Sequence, residues 1–188
     1  MQRLILLILL FFVPIQASQN ITVYFSPDDH LEKQLIKMID QENKSIHVCI
    51  YTFTDREVAD ALVAAKKRGV DVEVIVDRFS VKAKSPLHRL SAAMIPVYVW
   101  DPGRGREKRA RRPLMHNKFC IFGGHSVWTG SFNFTYDASR SHQENALVVR
   151  DEGVAHAYQN QFASIKMRSC IPIASFVAEK PKKRLNKR

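Results

Sequence analysis

Apolar positions along this chain recur with two periods, and the switching between them predicts alternating strands and helices. ITVYFS, residues 21–26, reads as a strand. Ser26, Pro27 and Asp29 then supply an N-cap, a first-turn proline and a first-turn acid for a helix whose apolar face carries Leu31, Leu35, Met38 and Ile39. SIHVCIYTF, residues 45–53, is apolar almost throughout, as a strand covered on both faces requires. Thr54 and Glu57 form a capping box for a second helix lined by Val58, Leu62 and Val63, and Gly69 ends it where a left-handed residue is wanted. VDVEVIV, residues 70–76, completes a strand–helix–strand unit, which calls for a right-handed crossover and a parallel pair.

Farther on, Ser85 and Pro86 open a short helix to about Met94, and strands follow at 96–100 and 144–150 before a final helix over 151–168. Between those two strands, LMHNKFCIF and HSVWTGSFN are also strand-like, joined by Gly123-Gly124, a dipeptide suited to the positive φ of a two-residue hairpin turn. Such a turn sets Lys118 opposite Thr129 and His116 opposite Ser131. Period-2 alternation then collects His116, Lys118, Ser131 and Asn133 on one face. The sum is an α/β domain, a mixed β-sheet flanked by helices, without an internal repeat.

Length and composition add one domain and a leader. At 188 residues and 46% hydrophobic content the chain forms a single domain, placed at residues 18–170. Residues 1–17, MQRLILLILLFFVPIQA, stand apart: Arg3, an unbroken apolar run from Leu4 to Val13, then Pro14 and Ala17 describe a secretory signal cleaved near Ala17 or Ser18. The expected location is periplasmic or secreted. An uncleaved membrane anchor is the alternative, although ten apolar residues fall short of the roughly 20 that a spanning helix needs. Cys49 and Cys120 sit in apolar runs as buried free thiols, Cys170 follows the last helix, and no CxxC occurs, so neither a disulfide framework nor structural zinc is expected.

The charge of +11 is concentrated in two runs. Residues 179–188 hold six basic residues and one acid and, with the preceding 171–178, are read as a basic C-terminal tail. The other run, residues 104–112, has Arg104, Arg106, Lys108, Arg109, Arg111 and Arg112 against a single acid. It ends just before the His116 segment, so a polyanion is the natural partner beside whatever that segment binds.

Together His116, Lys118, Ser131 and Asn133 suit a phosphodiester. Ammonium, hydroxyl and amide donors hold non-bridging oxygens and stabilise charge growing at phosphorus, while a neutral imidazole nitrogen attacks. No carboxylate cluster accompanies them, so neither a metal nor another cofactor is expected. His47, His88 and His156 lack partners in sequence, His142 belongs to a loop, and His125 follows the turn. Trp128, Phe132, Phe134 and Tyr136 serve mostly as core, with base stacking as the alternative.

The pattern His116-x-Lys118 followed after eleven residues by Gly130-Ser131-x-Asn133 resembles the HxKxxxxDxxxxxxGSxN motif of the phospholipase D superfamily. The order and size of the elements over residues 21–168 are similar to its short, single-motif branch, which includes Nuc-type endonucleases and Zucchini-like enzymes. The resemblance implies a phospholipase D-like fold and a phosphohistidine formed on His116. It also implies a homodimer that brings a second histidine to a shared site, and Glu144 on a following strand as hydrogen-bond partner of the catalytic histidine. One position departs: Gly123 stands where the family has aspartate. Either glycine replaces a structural acid through turn geometry, or the site is weakened; retention of every group that handles phosphate favours the first.

Three functions remain at this point. The first is a metal-independent nuclease acting on DNA or RNA. The second is a phospholipid phosphodiesterase of the phospholipase D or cardiolipin hydrolase type, to which an N-terminal segment at a membrane would add peripheral association. The third is a catalytically weakened nucleic-acid-binding protein.

Overall fold

The computed structural model describes residues 20–83, 85–102 and 113–178. Strands β1 (Ile21–Ser26), β2 (Ser45–Ile50) and β3 (Asp71–Asp77) alternate with helices α1 (Leu31–Gln41) and α2 (Arg56–Lys67). After a 3₁₀ turn (Arg78–Ser80) come α3 (Leu87–Ala92), β4 (Val97–Trp100), and the hairpin of β5 (Lys118–Phe122) and β6 (Ser126–Gly130). The chain closes with α4 (Tyr136–Arg140), β7 (Glu144–Arg150), α5 (Glu152–Ser169), β8 (Cys170–Pro172) and α6 (Ile173–Ala178). One sheet takes the eight strands of the described residues in the order β1-β7-β6-β5-β2-β3-β4-β8. The neighbours β2, β3 and β4 are parallel and every other pair is antiparallel, which is the mixed sheet flanked by helices that the periodicity predicts.

Each face of the sheet is buried by a different helical layer. On one, Leu35 and Ile39 of α1 and Val58 and Leu62 of α2 pack with Val48, Val74, Cys120 and Trp128. On the other, Phe162 and Ile165 of α5 pack with Cys49, Ile75, Phe119, Ile121 and Val127. A central strand covered on both sides can carry apolar residues at every position, which is why β2 ends in a fully buried Val48-Cys49-Ile50. Trp128, Phe132 and Phe134 belong to the first layer, so their role is packing rather than stacking on a ligand.

Several local expectations shift. Ser26 does not cap α1: that helix starts at Leu31, after His30 in a left-handed conformation with no side-chain cap. The Ser26 hydroxyl instead donates to the His142 carbonyl and accepts from the Glu144 N–H, closing the end of the β1–β7 ladder. Asp55, one residue after Thr54, caps α2 through the N–H groups of Glu57 and Val58. Gly69 does end that helix with φ 91°. His47 has partners that sequence did not show, namely Gln159 at 2.8 Å and the ring of Phe162. The packed fold also runs past residue 170, because β8 pairs with β4 and α6 buries Ile173 and Phe176.

The hairpin differs by one residue. Its loop is Gly123-Gly124-His125, with the His125 N–H donating to the Phe122 carbonyl at 3.1 Å and the Gly123 N–H held by the Ser45 carbonyl at 2.9 Å. His125 therefore belongs to the turn, and Phe119 rather than Lys118 faces Thr129. A slip of one residue exchanges the two faces of a strand. The expected His116–Ser131 pairing is thereby lost, and β6 ends at Gly130 before Ser131 is reached.

Gly130 makes that ending possible. A Cβ placed there would lie 2.2 Å from the Asn145 carbonyl oxygen, inside any real contact distance. Gly130→Ala is therefore expected to destabilise the protein by about 1–3 kcal/mol, a loss measurable as a lower midpoint in chemical denaturation.

Candidate active site

Four segments meet at the end of the sheet where β2 runs out and β5 begins. β5 supplies Lys118, with His116 two residues upstream; the stretch after β6 supplies Ser131 and Asn133; β7 opens with Glu144; and Tyr51 follows β2. His116 is exposed, and its ring lies 4.5 Å from that of Tyr51 between centroids. Lys118 Nζ reaches His116 Nδ1 at 3.2 Å, donates to the His116 carbonyl at 2.8 Å, and lies 5.4 Å from the Tyr51 ring centre. Burial holds the Lys118 ammonium below the usual lysine range, and the field of the Glu144 carboxylate offsets part of that shift.

The remaining polar groups are already oriented. Asn133 accepts the Thr52 N–H on its side-chain oxygen at 3.3 Å, which leaves its two amide hydrogens as donors. Ser131 donates to Glu144 and accepts the Asn145 N–H at 3.0 Å. Its hydroxyl hydrogen is thus engaged by a carboxylate rather than presented to a ligand. The same bond corrects the expectation for Glu144, whose carboxylate bonds Ser131 instead of the histidine. The cause is the departure of the chain at Gly130, after which the Ser131 N–H joins the Asn145 carbonyl at 3.1 Å and the side chain comes to rest on β7.

A buried carboxylate sets the position of His116. Asp77, at the end of β3 and fully buried, accepts the Met115 N–H at 2.9 Å and the Phe79 N–H at 3.0 Å. Arg78, its neighbour, forms an ion pair with Asp101 at 3.1 Å, both side chains being 9% exposed. The arginine-rich run of residues 104–112 lies outside the described residues, as do residues 1–19 and 179–188. Its flanks are nevertheless held by consecutive residues, Asp77 on one side and Arg78 on the other. Sequence reading missed Tyr51 and Asp77: the first looks like one more apolar strand residue, and the second like an ordinary strand end.

A family model described as cardiolipin synthase, PLD-like domain, matches residues 35–166. The chain belongs to the phospholipase D-like family. It is a phosphodiesterase of that family. A phospholipase D of Rickettsia typhi is 32% identical over 153 residues, covering 80% of this chain and 71% of that protein. A mitochondrial cardiolipin hydrolase of Xenopus laevis is 32% identical over 136 residues, covering 72% of this chain and 60% of its own length. Among solved structures, the phospholipase D family member Nuc from Salmonella typhimurium superposes with a TM-score of 0.69 at 28% identity, covering 81% of this chain and 96% of that one.

Gly123 is where this phospholipase D-like chain leaves the family motif, and the hairpin shows why glycine fits. Its φ is 56°, and a Cβ there would sit 2.6 Å from the His125 ring and 3.1 Å from Glu42 Oε2. Glu42 is itself buried, with its other oxygen capping the N–H groups of Asn43 and Lys44. An aspartate at this position would meet a left-handed backbone and a second carboxylate together. Gly123→Asp is therefore expected to cost about 1–3 kcal/mol of stability without raising turnover, checked by thermal denaturation alongside a phosphodiester assay.

Proposed function

We propose that the protein is a metal-independent nuclease acting through a phosphohistidine at a homodimeric site. The observation that carries this reading is the arginine-rich run between β4 and β5, which ends four residues before His116 and whose flanks, Asp101 and Met115, are held by Arg78 and Asp77. A run of this composition beside a phosphodiesterase site suits the repeating phosphates of DNA or RNA through Arg104, Arg106, Lys108, Arg109, Arg111 and Arg112.

In the proposed reaction the substrate's non-bridging oxygens draw the Lys118 ammonium off His116 Nδ1, releasing a ring lone pair. The amide of Asn133 gives further donors to the same oxygens. A ring nitrogen of His116 bonds to phosphorus as the bond to the leaving oxygen breaks, and a histidine from the second copy protonates that oxygen. The chain holds a single HxK, and one imidazole cannot be nucleophile and acid on opposite sides of phosphorus at once. The second histidine then takes a proton from water, whose oxygen bonds to phosphorus as the phosphorus–nitrogen bond to His116 breaks. Glu144, fixed by Ser131, lends negative potential to the Lys118–His116 pair. The same reading takes residues 1–17 as an export signal.

The relatives named for phospholipid substrates favour a second reading, a phospholipid phosphodiesterase. Cleavage of plasmid and oligonucleotides in EDTA, set beside headgroup release from phospholipid vesicles, decides between them. Under the nuclease reading, EDTA leaves cutting intact, and His116→Ala lowers it by about 10³-fold or more while binding persists. Headgroup release without nucleic-acid cleavage would establish the lipid reading, and binding without cutting by the wild type would leave a nucleic-acid-binding protein.

A further inference from the structure

Phe79 is an aromatic side chain in the 3₁₀ turn that stays 55% exposed, although the turn around it is rigidly held. Its N–H bonds Asp77, the carboxylate that also holds Met115 and so the strand of His116. The next residue, Ser80, is buried; its hydroxyl donates to the Tyr51 carbonyl at 3.0 Å and accepts the Phe53 N–H at 2.8 Å. The Tyr51 ring in turn lies tilted against that of His116. Phe79 is thus tied by two short routes to the groups that place the histidine. The guanidinium carbon of Arg78 lies 5.0 Å from the centre of the Phe79 ring, and that guanidinium is locked by its pair with Asp101.

An exposed phenyl ring backed by a fixed cation, on the turn whose Asp77 also holds Met115, matches the flat π-face of a nucleobase. Stacking of this kind requires a base free of its duplex neighbours. We propose that Phe79, backed by Arg78, is the stacking platform for an unpaired base next to the scissile phosphate. This rests on the nuclease reading.

The test measures binding and cleavage of a fluorescent single-stranded oligonucleotide by the full-length protein. Phe79→Ala is expected to weaken binding about 10-fold, while cleavage of methyl p-nitrophenyl phosphate, which has no base, stays within twofold of wild type. An abasic residue beside the cleaved linkage weakens the wild type to a similar degree and leaves F79A unaffected, the non-additivity expected of a direct pair. Phe79→Trp keeps wild-type affinity, with fluorescence quenched by the oligonucleotide, and Phe79→Leu does not. If F79A binds and cuts the intact strand as wild type does, or duplex and single strand lose affinity equally, the platform is wrong. Restoration by F79L, with the loss appearing on anionic phospholipid vesicles instead, would make the ring a lipid contact in company with the exposed Leu114 and would also overturn it. A wild type that binds the oligonucleotide with the expected Phe79 dependence but never cuts it would refute the nuclease reading and leave the platform standing.

Discussion

The site depends on the burial of one charge. A carboxylate with no access to water must find donors, and Asp77 finds the backbone N–H groups of Met115 and Phe79. The bond to Met115 joins the end of a central parallel strand to the segment that carries His116, across a connection that contains the arginine-rich run. Met115 is itself buried, with the Cys49 thiol 3.3 Å from its sulfur, so the residue before the histidine is fixed through both backbone and side chain. The histidine inherits that fixity while its own ring remains exposed.

Much of the fold was legible because periodicity reports burial directly. Strands β1 and β7 have the bounds read from sequence, and the parallel β2–β3 pair follows from the unit that contains α2. Three kinds of information were not legible. Turn length depends on competition for individual backbone donors: the Gly123 N–H goes to Ser45, which draws His125 into the loop and moves the register by one. A residue adjacent to the expected cap can take over that task, as Asp55 does from Thr54. The strand β8 and helix α6 are too short for any period to show, and they are stabilised by tertiary pairing with β4.

The candidate site was legible in its residues and less so in their connections. His116, Lys118, Ser131, Asn133 and Glu144 do converge, because the motif's spacing spans the hairpin under either register. Their wiring differs. Ser131 serves Glu144 rather than a ligand, and Lys118 rather than Glu144 touches the imidazole in the free chain. Pairwise hydrogen bonds of this kind depend on where Gly130 lets the chain leave the sheet, a close approach of two backbones that no periodic pattern encodes. Tyr51 and Asp77 escaped notice for a related reason. Their importance comes from neighbours more than sixty and nearly forty residues away, respectively.

The hydroxyl of Ser26 gives the first strand an unexpected significance. It joins the His142 carbonyl to the Glu144 N–H, and Glu144 in turn holds Ser131, so a relay of short bonds runs from β1 to the candidate site. Among the described residues β1 lies at the sheet's edge, paired on one side only by β7. Proteolytic trimming that stops before Ile21 leaves this relay whole, whereas a cut within β1 removes its outermost link and one of the two strands that flank β7. β1 thus couples the outer edge of the sheet to the end at which the candidate site lies.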